Sequence, residues 1–72
     1  GQINVGTIEP GRYPGQVLIL TGHDENDQIR INPGDGILLN GGAQFIITSP
    51  ADVLMLIWNG SAWTEISRSN NS

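Results

Sequence analysis

The chain has 72 residues with no Cys, and its seven acids against three Arg give a net charge of −4. That balance excludes the basic patch on which nucleic-acid binding rests. No apolar run approaches the ~20 residues of a membrane-spanning helix, and the opening GQINVG lacks the charged and apolar regions of a signal peptide. Neither nucleic acid nor membrane insertion is an expected partner.

A domain of this size buries only about 60% of the surface its unfolded chain exposes. Small domains make up the shortfall with disulfides, a metal or subunit contacts. With no Cys, one His and no ligand spacing, neither metal nor cofactor is expected. Association with copies of itself is what remains. The lack of Cys leaves the compartment open, because a particle assembled in a reducing cytosol and used outside the cell would also avoid disulfides.

In chain order, residues 1–15 carry four Gly and two Pro around Ile3, Val5, Ile8 and Tyr13. They read as an irregular lead-in or linker arm, with the β-domain proper in residues 16–72. Two readings of the arm stand: an edge strand added to a neighbouring chain with Ile3 and Val5 on one face, or a connector from a preceding domain. Gln16 to Thr21 is the first clear strand, bounded by Gly15 and Gly22. A polar loop, His23 to Asp27, leads to Gln28–Asn32, whose alternation turns Ile29 and Ile31 inward and Arg30 outward. Pro33-Gly34-Asp35-Gly36 is a turn, and Ile37 to Leu39 a short strand. The dipeptides Asn40-Gly41 and Gly41-Gly42 favour tight hairpin turns, so Gln44 to Thr48 is expected to return antiparallel to Ile37–Leu39.

The stretch from Asp52 to Arg68 dominates the rest. Val53, Leu54, Met55, Leu56, Ile57 and Trp58 form one unbroken apolar run, so both faces of that strand want cover. Asn59-Gly60-Ser61 turns the chain into a second strand beginning at Trp63. Ser49-Pro50-Ala51-Asp52 also resembles the start of a short helix, but a helix here would be apolar all round. Ser69 to Ser72 reads as a frayed polar tail. Five or six short strands separated by tight Gly-rich turns make an all-β domain, a small sandwich or solenoid-like fold.

For chemistry, His23, Asp24, Glu25 and Asp27 form an acid/base or hard-cation candidate. The loop lacks the spacing of a calcium-binding motif, and a solvated loop explains the same residues. No nucleophile elbow surrounds any Ser, so an enzyme is not expected. Trp58 and Trp63, with Glu65 and Arg68, are candidate glycan contacts; the alternative is that the indoles cover the end of the core. Glu65 and Arg68 lie three apart on a strand and so are expected on opposite faces, with any ion pair made between subunits. Asn59-Gly60-Ser61 and Asn70-Asn71-Ser72 match the N-glycosylation pattern, the first being better explained as turn chemistry.

From Gln16 to Asn70 the order of features resembles the short C-terminal β-domains of phage and algal-virus tail spikes, tail fibres and related attachment proteins. The most specific part runs from Leu56 to Ser69, where an aliphatic strand enters Ile-Trp, a Gly turn, a second Trp and Glu-x-Ser-Arg-Ser. Residues 1–15 match no pattern of that family. The resemblance implies a homotrimer at the distal or C-terminal end of a fibrous virion protein, a tail spike or fibre, outside the cell when acting on the host and serving trimer registration, host attachment or both; a host-surface glycan is the candidate ligand of the two Trp residues. Val53, Leu54, Met55, Leu56 and Ile57 are then the expected trimer interface. Two alternatives from other classes are a capsid decoration protein and a stand-alone carbohydrate-binding module.

Overall fold

The computed structural model describes residues 2–22 and 26–71, and His23, Asp24 and Glu25 of the candidate polar site lie outside them. Among the described residues seven strands form two sheets: β1 (Gln2–Val5), β2 (Val17–Thr21), β3 (Gln28–Ile31), β4 (Ile37–Leu38), β5 (Phe45–Ile47), β6 (Val53–Trp58) and β7 (Trp63–Ser69). One sheet has the order β1-β3-β5, the other β2-β6-β7-β4. The inner faces enclose Ile31, Ile37, Leu39, Phe45, Ile47, Leu54, Leu56, Trp58 and Trp63. This is a β-sandwich, the first of the two architectures the strand pattern allowed.

β6 organises its sheet from the centre, pairing antiparallel with β2 on one side and with β7 on the other. Gln2 pairs with Gln28, and Val53 pairs with both Thr21 and Ser69, so the described chain enters and leaves at one pole of the sandwich. The two Trp residues lie at the other pole.

Three local expectations are corrected. The arm does hold a strand, but β1 pairs in parallel with β3 of its own chain, placing Ile3 opposite Ile29 and Val5 opposite Ile31. Ile37–Leu39 and Gln44–Thr48 do not form a hairpin: β4 pairs in parallel with β7, and β5 pairs antiparallel with β3. Between them a 3-10 turn at Asn40–Gly42, with φ of 68° at Gly41 and 66° at Gly42, carries the chain from one sheet to the other. Glycine holds that left-handed backbone without a Cβ penalty. The physical reason is burial, because Ile37, Leu39, Phe45 and Ile47 are all core residues and face one another best across two sheets.

The third correction is the tail. Ser69 ends β7, and Asn71 is tied down: its backbone N donates to Asp52 Oδ1 at 2.9 Å and its Nδ2 donates to Ala51 O at 2.9 Å. Asp52 is fully buried. Its Oδ2 accepts from both the backbone N and the hydroxyl of Thr48, each at 2.9 Å. The segment Ser49–Asp52 is therefore a turn, closed by Asp52 N donating to Ser49 O, and not a helix. Buried carboxylates are tolerated where donors surround them.

Asp52→Ala should leave these donors without their acceptor and destabilise the fold by about 3 kcal/mol. The expected result is a lower urea midpoint at unchanged slope, together with faster amide exchange at Asn71.

Candidate functional site

At the pole away from the chain ends, Trp58 and Trp63 face each other across the β6–β7 turn. Their ring centroids are 5.4 Å apart with planes tilted by 58°, a geometry that suits the ring quadrupoles. Only 8% of Trp58 and 3% of Trp63 is exposed. The arm closes over them: Trp63 Nε1 donates to Glu9 O at 2.8 Å, and Gly15 N donates to Trp58 O at 2.7 Å. Gly11 lies so close to the Trp58 ring that any Cβ there would collide with it. The indoles cover the end of the core and present no open face on which a sugar could stack. Asn59 shapes the turn, with Oδ1 accepting from the backbone N of Ser61 and Ala62, both at 2.8 Å.

Glu65 and Arg68 sit on the same side of β7, contrary to the alternation expected from their spacing. Leu56 pairs with Glu65 but Met55 pairs with Ser67, leaving Ile66 as the extra residue of a β-bulge. A bulge shifts the strand's parity by one. Arg68 Nε donates to Glu65 Oε2 at 2.9 Å and its Nη2 donates to Oε1 at 2.8 Å, so the ion pair lies within one strand and one chain.

The pair also closes one side of the sandwich. Arg68 Nη2 donates to Ala43 O at 3.0 Å and Arg68 Cζ lies over the Phe45 ring, 5.0 Å from its centroid, while Asn40 N donates to Glu65 Oε1 at 2.8 Å. β4 is only two residues long, and beyond it this clamp holds the 40–44 segment against β7. The Glu65 side chain is 3% exposed. The hydrogen bonds from Arg68, aided by the Asn40 N–H, outweigh burial and hold its carboxyl below the usual carboxylate range.

The opposite side is open. An apolar cavity of about 240 Å³ lies between edge strands β1 and β2, lined by Val5, Leu20, Ile29, Ile31 and Ile47 among others. β2 is an uncharged edge of five residues, VLILT. Its outer residues Val17 and Ile19 are 49% and 57% exposed, and they pair with Ile57 and Met55 of β6. Val53, Met55 and Ile57 are half-buried, whereas Leu54 and Leu56 are fully buried in the core. The five residues expected at a trimer interface thus divide: three face outward with Val17 and Ile19, and two belong to the subunit's interior. Val17 and Ile19 were not singled out from sequence, although the two-faced apolar pattern of β2 was the same signal read in β6.

Arg68→Ala should leave the Glu65 carboxylate short of partners and free the 40–44 segment. The cost is expected to be about 2–3 kcal/mol, at the low end for a broken buried pair because Arg68 is partly solvated. Since the folded state binds the Glu65 proton less readily than the unfolded chain, this contribution is complete above the ordinary glutamate pKa of ~4.3 and is lost as pH falls through the depressed value. Glu65→Gln should flatten that acid limb in denaturant titrations run across the range.

No curated protein and no solved structure matches the chain. A family model, the phage depolymerase C-terminal beta sandwich domain, matches residues 1–64. The match takes in the arm that fitted no pattern of the resembling proteins, and it stops before the Glu-x-Ser-Arg-Ser segment on which that resemblance drew. Two sheets packed face to face agree with the family's fold. The chain belongs to the phage depolymerase C-terminal beta sandwich domain family, and is thus a tail-spike type of C-terminal module.

Proposed function

We propose that this domain is the trimerisation and host-attachment module of a virion-borne tail spike, and that three copies meet through the outer face of the β2-β6-β7-β4 sheet. The observation that carries the reading is the chemistry of that face. Val17, Ile19, Val53, Met55 and Ile57 form its centre, Leu38 lies exposed at its far edge, and Thr64, Ser67 and Ser69 complete the β7 rows. None of these residues is charged, on a chain whose net charge is −4. A face of this kind, beside an uncharged edge strand, is one that monomeric proteins protect. It is also where copies of an acidic chain can approach with least repulsion.

The domain itself is non-catalytic in this reading, as the family's C-terminal sandwich is. Its part in attachment is to hold three chains in register so that the spike meets the host surface as a unit, acting outside the cell. A host-surface glycan would have to be met by groups other than the Trp pair, since those rings are enclosed. Burial of the indoles weighs against the stand-alone carbohydrate-binding alternative, and the family weighs against a capsid decoration protein.

The test is solution mass. The native domain should scatter as three chains, while Ile19→Asp and Met55→Asp should give monomers with the native circular dichroism and Trp fluorescence, because both side chains point out of the core. A native domain that stays monomeric at high concentration, or charged variants that keep the native mass, would overturn the proposal. Leu56→Ala is a different experiment: it empties the core and should cost about 2–5 kcal/mol in each subunit.

A further inference from the structure

The chain contains two Asn-Gly dipeptides in opposite circumstances. At Asn59-Gly60 the side chain is fixed at both ends: Oδ1 accepts two backbone N–H groups, Nδ2 donates to Thr64 Oγ1 at 3.2 Å, and the backbone N donates to Ala62 O at 3.0 Å. At Asn40-Gly41 only the backbone is held, with Asn40 N donating to Glu65 Oε1 and Asn40 O accepting from Ala43 N at 3.3 Å. Among the described residues the Asn40 side-chain amide has no hydrogen-bond partner, and neither has the Gly41 N–H. Both residues are exposed, and there is open space where a Gly41 side chain would stand.

We propose that Asn40 is a site of spontaneous covalent modification, in which the backbone nitrogen of Gly41 attacks the Asn40 side-chain amide. Solvent hydroxide removes the Gly41 N–H proton, and the nitrogen lone pair forms a bond to Asn40 Cγ. The Cγ–Nδ2 bond breaks, and Nδ2 leaves as ammonia after taking a proton from water. Water then opens the resulting five-membered imide. Addition at Cγ gives aspartate; addition at the former backbone carbonyl gives isoaspartate. The net change is one water consumed, one ammonia released and one carboxylate gained, with no oxidant or cofactor.

Attack requires the Asn40–Gly41 peptide to rotate until the nitrogen meets Cγ. No side chain at 41 or 42 opposes that rotation, and glycine crosses the left-handed region freely. At Asn59 the same rotation must first break the three side-chain bonds.

The position matters for the fold. Asn40 N and Ala43 O are the two ends of the segment clamped by Glu65 and Arg68. Isoaspartate inserts an extra methylene into the backbone between those anchors, and either product adds a negative charge near the Glu65 carboxylate. Modification therefore loosens the clamped side of the sandwich.

The native protein would be held in mildly alkaline buffer at physiological temperature, sampled over days and mapped by peptide mass spectrometry with fragmentation that separates aspartate from isoaspartate. The expected result is a gain of about 1 Da at Asn40 accumulating many-fold faster than at Asn59, with isoaspartate present among the products. In concentrated urea the two sites should convert at similar rates. Modification of Asn59 as fast as Asn40 in the folded protein, or an Asn40 that stays amidated while the urea sample converts, would overturn the proposal. So would a large rate difference that persists in urea, because local sequence and not the fold would then set it.

Discussion

Strand β6 is apolar on both faces, and the described residues cover one of them fully. Leu54, Leu56 and Trp58 take the covered side, where the β1-β3-β5 sheet supplies Ile31, Phe45 and Ile47. Val53, Met55 and Ile57 are left on the other side beside Val17 and Ile19. Everything else follows from how the molecule manages its margins: a buried pole of indoles, a clamped flank and a flank left open.

The clamped flank depends on one inserted residue. Without Ile66 as a bulge, Glu65 and Arg68 would point to opposite faces, and one charge would lie in the interior with no partner. With it, a carboxylate turned inward is matched by a guanidinium on the same side, and the two together hold the 40–44 crossover that β4 is too short to hold. Charged groups inside a small core are costly when isolated, so bulge and ion pair make sense only as a unit. Asp52 repeats the arrangement at the pole of the chain ends, where backbone and side-chain donors take the place of a cation.

The strands after residue 15 and the all-β class were legible because alternation and Gly-bounded runs report on which residues can share a pleated surface, while the choice between a sandwich and a solenoid-like fold, and the strand within the arm, were not. Gln28–Ile31 and Val53–Trp58 fall where their patterns place them. Pairing partners were less legible. Asn40-Gly41-Gly42 has the residues of a hairpin turn, but positive φ serves a crossover between sheets as well as a reversal within one, and only the burial of Leu39 and Phe45 decides between them. The Glu65–Arg68 parity was hidden for a similar reason, since a bulge leaves no local mark at Ile66. The Trp pair shows the opposite case: the enclosing reading and the exposed reading were both open until the arm, through Glu9 and Gly11, was seen to lie across the rings.

The shared location of the two chain ends has a mechanical consequence. Gln2 and Asn71 emerge at one pole, near Thr21 and Val53, with the indole pole at the far end. A load applied through Gln2 and Asn71 would reach the strands from the same side of the sandwich. At the opposite tip Tyr13 stands 60% exposed, Pro14 lies next to Gly60, and the close seat of Gly11 on the Trp58 ring leaves only the outer side chains there room to change.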